Sequence, residues 1–295
     1  MRTKRRNKLL RILAVSLLIL YSASLQAQSY PARGLVLDVN KTARTMTVSC
    51  QEIQGFVKSG VVRFAIADAS TLAPLIRGTM IEFAVTSGKE SLQASDIRVR
   101  HYESAEREPA KSRRLQSLDE ALRTKPHPLA VGESVPDFTL TDQERKSVLL
   151  RQLKGKVVVL NFVYTRCALP DYCVRTSNNF GQLQEQFHDQ LGKDLILLTV
   201  TFDPVHDQPK VLREYAQKWN ADPKSWHFLT GSTADIQRLC DWFGVSSLPE
   251  EGLFVHSQRT AIIDRDGTLA ANLEGNEFTA QQLGDLLKEV LRPGK

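Results

Sequence analysis

The sequence predicts an α/β domain, residues 131–295, preceded by a small all-β barrel, residues 30–103. Three observations lead there. Residues 34–102 break into short alternating segments of strand length separated by turn formers. From Val131 onward, apolar β-branched runs alternate with stretches of helical periodicity. Between the two lie residues 104–130, dense in charge and poor in apolar side chains. Successive strands close into a barrel or sandwich, whereas strands alternating with helices build one sheet covered by helices.

A leader precedes both units. Arg2, Lys4, Arg5, Arg6, Lys8 and Arg11 crowd the first eleven residues, an apolar stretch begins at Ile12, and small residues precede a cut after Ala27. Basic, apolar and small parts in that order read as a secretory signal over residues 1–27. Left uncut, the stretch would be a membrane anchor, although it is short of the roughly 20 residues that span a bilayer. The expectation is an exported protein, periplasmic or held at the outer face of the inner membrane. The leader also explains the charge. The chain carries 39 Lys and Arg against 33 Asp and Glu, and removing the six leader bases leaves 33 against 33. No nucleic-acid partner follows from such a balance. With 42% hydrophobic and 24% charged residues, the chain is globular rather than disordered.

In the first unit, five segments begin at Leu35, Thr45, Gly60, Met80 and Ser95, and turns at Asp38-Val-Asn40 and Ser87-Gly88 punctuate them. In the linker, Leu115, Leu118 and Leu122 share a helical face that Pro126 and Pro128 end, which predicts two separately folding units. In the second unit, strands are expected at 138–141, 157–163, 195–201, 226–229, 260–264 and 269–273. Helices are expected at 174–187, 209–219, 234–243 and 280–291, and Arg265-Asp-Gly267 marks a hairpin.

Chemistry concentrates where the strand 157–163 hands over to the helix 174–187. Cys167 and Cys173 flank a turn at Pro170-Asp171, beside the free N–H groups of the helix start. The helix dipole favours a thiolate there, so a lowered pKa is expected, along with redox chemistry or a soft metal. Four cysteines, Cys50, Cys167, Cys173 and Cys240, are too few for a disulfide scaffold, though Cys167 and Cys173 can pair. A bridge over so short a loop restrains little chain entropy, which weakens a purely structural reading. His256, read as a loop residue before the strand 260–264, can complete a Cys2His set that suits Cu(I), accepts Cu(II) and also suits zinc. Taken alone, His256 and His206 are ordinary surface histidines. Asp203, at the end of a strand, either supports such a site or caps the helix beginning near Pro209, where Asp207 competes. Cys240 falls on an apolar helical face and reads as core.

Tyr164-Thr-Arg-Cys167 with Cys173, the run from Thr199 through Asp203-Pro-Val-His-Asp207 to Pro209, and His256 followed by Ala261-Ile-Ile-Asp-Arg-Asp-Gly267 resemble the Sco/SenC family. Its members are thioredoxin-like copper chaperones involved in assembling the copper centre of cytochrome oxidase. The resemblance covers about residues 131–291. It implies a thioredoxin-like fold and Cys167, Cys173 and His256 as ligands of copper, Cu(I) or Cu(II), with Asp203 in support. The implied partner is a copper-accepting respiratory oxidase subunit or another copper acceptor. The chain departs from the family's C-x3-C-Pro pattern: its spacing is C-x5-C, and Val174 replaces the proline. The first unit resembles CusF-like copper-binding barrels, which are OB-like. Cys50 falls at their His, and Val57, Gly60 and Val62 fall at their methionines, so the barrel is expected to have lost its metal.

Two rival readings use the same thiols. A thiol–disulfide oxidoreductase would attack with one cysteine and resolve with the other, without needing His256. A peroxiredoxin-like peroxidase would rest on Cys167 with Thr165 and Arg259 nearby.

Overall fold

Alternating burial along five strands closes the first unit of this computed structural model into a barrel. The structure describes residues 28–88, 91–100, 128–167, 170–250 and 253–292. The leader and the linker face at Leu115, Leu118 and Leu122 lie outside the described residues. The strands are β1 (Ser29–Asn40), β2 (Thr45–Cys50), β3 (Gly60–Ile66), β4 (Met80–Ser87) and β5 (Leu92–Val99), closed in the order β1-β2-β3-β5-β4. Val36, Met46, Val48, Phe64, Ile81, Phe83 and Val85 fill the interior. Cys50 is buried among them, and loss of solvent pushes its thiol up to about 12.

The second unit is a seven-stranded sheet. Its elements are β6 (Thr139–Asp142), β7 (Ser147–Leu149), β8 (Val157–Val163), α1 (Arg175–Gln186), β9 (Leu195–Thr201), α2 (Pro209–Lys218), β10 (Trp226–Thr230) and α3 (Thr233–Phe243). A separate hairpin, β11 (Ser247–Glu250) and β12 (Leu253–His256), follows. Then come β13 (Arg259–Ile263), β14 (Leu269–Glu274) and α4 (Ala280–Leu291). The sheet order is β14-β13-β8-β9-β10-β6-β7, with β8, β9 and β10 parallel. Every residue of β8 and β9 is buried, as the centre of a parallel sheet covered on both faces requires. Phe180 of α1 packs on Trp226 and Tyr215 of α2 on Phe228, on one face. Phe243 of α3 meets Phe162, whose side chain points to the other face. α4 lies beside α1. This is the thioredoxin-like arrangement implied by the resemblance. The expected Arg265-Asp-Gly267 turn joins β13 to β14, with Gly267 at φ +86°.

The barrel docks on α4 and β14. Leu35, Leu37 and Met80 belong to the same apolar core as the sheet. Ser49 Oγ donates to Asp285 Oδ2 at 2.8 Å, and Gln282 Nε2 donates to the Ser49 carbonyl at 2.9 Å. Arg100, just after β5, donates from Nη2 to Glu277 Oε1 at 3.0 Å, and its Nε makes an ion-pair contact with Oε2 at 3.0 Å.

Candidate metal centre

β8 ends in Tyr164-Thr-Arg-Cys167, and the Cys167 N–H donates to the Tyr164 carbonyl at 3.2 Å, turning the chain at the carboxyl end of the central strand. Sites gather there in open α/β sheets because the loops diverge above the strand ends. The wide turn Pro170–Val174, in which Tyr172 leaves the helical region at φ −118° and ψ −113°, seats Cys173 just before α1. His256 is the last residue of β12. The sequence placed it in a loop, but pairing of Ser247 with His256 closes a hairpin that Pro249 and its short strands concealed.

The three groups converge. The ligand atoms of Cys167, Cys173 and His256 all lie within 4.8 Å of one another, and the residues are 6%, 1% and 7% exposed. His256 Nδ1 donates to the Ser257 carbonyl at 2.9 Å, which fixes the tautomer and leaves Nε2 facing Cys173 Sγ at 3.9 Å. Metal bonds of about 2.3 Å to sulfur and about 2.0–2.1 Å to nitrogen put such ligands roughly 3.6–3.8 Å apart around a three- or four-coordinate ion. The observed separation needs little adjustment. Phe202 and Tyr164 wall the imidazole at centroid distances of 4.6 and 5.7 Å.

One expectation is overturned. Cys173 does not carry a lowered pKa: its hydrogen bond with Cys167 and its burial push the thiol well above the ordinary value. A helix terminus contributes about 0.3–1 kcal/mol to a nearby charge, rising to about 2. Full burial shifts a pKa by up to about 3–5 units of about 1.4 kcal/mol each. Desolvation wins. Burial, followed by the neighbouring Cys167, raises Tyr164 to about 12. A metal entering this site therefore displaces protons from its thiols.

Neither Asp203 nor Asp207 caps α2, whose N-cap is Gln208 without a side-chain bond. Asp203 Oδ2 accepts from Arg166 Nη2 at 2.6 Å and Nε at 3.2 Å, holding the residue before Cys167. The carboxylate of Asp207, fully buried, accepts from the Thr165 N–H at 3.0 Å, Thr165 Oγ1, Thr201 Oγ1 and His206 Nδ1. Asp203, His206 and Asp207 also cluster within 4.8 Å, but both carboxylates are already occupied by donors. Sequence reasoning missed the role of Asp207, although the motif carrying it was visible. Arg259 directs its guanidinium at the Gly244 carbonyl and at Glu274, which gives the peroxidase reading no support. Cys240 is core, as expected.

The family model described as SCO1/SenC matches residues 128–292. The chain belongs to the SCO1/SenC family. A SCO1 protein homolog of Bacillus subtilis is 28% identical over 160 residues, 53% of this chain and 80% of that protein. Thiol-disulfide oxidoreductase ResA of Bacillus thuringiensis is 26% identical over 162 residues, 55% of this chain and 79% of that protein. ScoI of Bradyrhizobium japonicum, solved with copper bound, is 25% identical at a TM-score of 0.45, covering 55% of this chain and 99% of that one. The match begins after the barrel, so the SCO1/SenC region is the seven-stranded unit with the converging Cys167, Cys173 and His256.

Proposed function

We propose that this SCO1/SenC protein binds copper through Cys167, Cys173 and His256 and delivers it to a copper acceptor, a subunit of a respiratory oxidase. The observation that carries this reading is the imidazole: its Nδ1 is tied to a backbone carbonyl, so Nε2 is presented to two thiols at ligand spacing. Two soft sulfurs with one imidazole suit copper, and copper is the metal of the Bradyrhizobium relative. Three protein ligands leave a position open through which an acceptor thiolate enters, so cargo passes by ligand exchange rather than by release into solvent. The basic and apolar leader supports a location in the periplasm or at the outer face of the inner membrane. The barrel, in this reading, is a degenerate CusF-like unit without a metal of its own, since Cys50 is enclosed in its apolar core.

Titration of the reduced protein with Cu(I) against a competing chelator tests this reading. One site per chain is expected, weakened at least about a hundredfold by His256→Ala, because that substitution removes a ligand rather than one of its supports, whose loss costs 10–100-fold. Binding indifferent to His256 would instead favour a thiol–disulfide oxidoreductase. The adjacency of the Cys167 and Cys173 thiols and the ResA relative support that second reading. In it, the dithiol is oxidised to a disulfide as an acceptor's disulfide is reduced to two thiols.

A further inference from the structure

Beyond the shared apolar core, hydrogen bonds of the described residues tie the barrel to the domain at two places, and one leads to the metal centre. Ser49 bonds to Asp285 and Gln282 in the body of α4. Arg100 instead reaches the segment between β14 and α4, where its Nη2 donates to Glu277 Oε1 and its Nε makes an ion-pair contact with Oε2, with its side chain only 12% exposed. The same guanidinium also bonds Glu82 of β4, so it is anchored in the barrel. Glu277 and its neighbour are in turn fastened to the helix that follows Cys173. Arg175 Nη2 donates to the Glu277 carbonyl at 3.1 Å, and Asn179 Nδ2 donates to the Phe278 carbonyl at 3.3 Å. Arg175 is the first residue of α1, two positions after Cys173.

We propose that the barrel is an internal clamp for the metal centre, in which Arg100 is a positioning residue acting through Glu277 on the start of α1 and hence on Cys173. A cation bonded at once to Glu82 of the barrel and to Glu277 ties the two segments together by charge-assisted hydrogen bonds. The turn Pro170–Val174 is the irregular part of the ligand frame, so the first turn of α1 is where outside support changes the position of a thiol. A barrel without a metal of its own thus serves the neighbouring site. The inference rests on the copper reading only for its effect on copper; the mechanical link stands apart from it.

Two measurements on the reduced protein separate these. Hydrogen exchange of the metal-free protein, followed over residues 175–179 and 276–278, is expected to quicken about tenfold in Arg100→Met, with α2 unchanged, and to return towards the parent rate in Arg100→Lys. Ser49→Ala, which removes the Asp285 bond of the other route, is expected to leave residues 175–179 at the parent rate. Unchanged exchange in Arg100→Met, or equal quickening in Ser49→Ala, would overturn the clamp, the first because no link exists and the second because general undocking explains it. With copper bound, Arg100→Met is expected to release it about tenfold faster and to shift the copper–thiolate absorption. Parent-like release and spectrum would overturn the role at the metal. Failure of the parent protein to bind copper would overturn the copper reading while leaving the exchange result to decide the clamp.

Discussion

Replacing Asp207 tests the frame that holds Cys167. Its carboxylate is fully buried and accepts four hydrogen bonds, three of them from Thr165 and Thr201 at the ends of the two central strands. His206 is half-exposed, so its Nδ1 can turn to water; the Thr201 hydroxyl and the Thr165 N–H have less recourse. A buried donor left without a partner costs about 1–3 kcal/mol, and bonds to a charged acceptor are each worth about 1.5–3 kcal/mol net. Asp207→Ala strands two such donors, which predicts a loss of about 3–5 kcal/mol, a large share of a total that is ordinarily about 5–15 kcal/mol. Asp207→Asn keeps one acceptor oxygen but turns an NH2 towards a donor, so about half that loss is expected. Urea unfolding of the reduced, metal-free protein, comparing midpoints at constant slope, measures both. A loss below about 1 kcal/mol in the alanine variant would refute the buried-network account, because that is the range of an ordinary surface polar contact.

Two further outcomes follow from burial and from backbone geometry. The reduced, metal-free protein is expected to lose stability as pH rises above 9. Folding raises the Cys50 thiol from 9.0 to about 12, so the stability it contributes is complete below 9.0 and is lost as pH climbs through 12. Cys173 and Cys240 are shifted in the same direction. Urea unfolding at a series of pH values should show Cys50→Ala with a slope shallower by about 1.4 kcal/mol per pH unit, and an unchanged slope would remove Cys50 from the explanation. Gly78 sits at φ +90°, where an added Cβ would lie 3.2 Å from Ala271 and from Leu273 of β14. Gly78→Ala is therefore expected to destabilise by about 1–3 kcal/mol through strain and crowding at the docking surface, readable in the same assay. A neutral result would mean the barrel shifts on β14 without cost.

What was legible in the sequence was local. β8 and β9 announced themselves as continuous apolar runs, the barrel strands as alternation, and the β13–β14 turn as Asp-Gly, since each pattern is written within a few residues. The hairpin β11–β12 was not visible, because two four-residue strands interrupted by Pro249 carry no period. The docking of the barrel was equally hidden. Ser49 and Asp285 are 236 residues apart, and nothing near either one indicates the other. The thiol pKa failed on packing: a helix start can be read from sequence, but not the burial of Cys173 against Cys167 and His256. The convergence of Cys167, Cys173 and His256 was implied by family resemblance. The hydrogen bonds that orient them were not, and Asp207 could be offered only as a rival helix cap because its partners at Thr165 and Thr201 meet only in the fold.

The C-x5-C spacing bears on how the site is built. Closing a loop a few residues longer costs only a fraction of a kcal/mol in chain entropy, so the spacing does not prevent the thiols from meeting. The chain takes up part of the distance in the turn Pro170–Val174, ahead of α1, and leaves that helix regular. The three candidate ligands then hang from three different supports. Cys167 follows a strand end braced by Asp207 and Asp203, Cys173 precedes a helix tied to the β14–α4 segment, and His256 ends a hairpin with its ring fixed by Ser257. A site held this way is organised before metal arrives, so little ordering cost is left to set against binding. It is also uneven. Cys167 and His256 are held by hydrogen bonds within one residue of the ligand, whereas the tie to α1 is two residues beyond Cys173 and passes through an irregular turn.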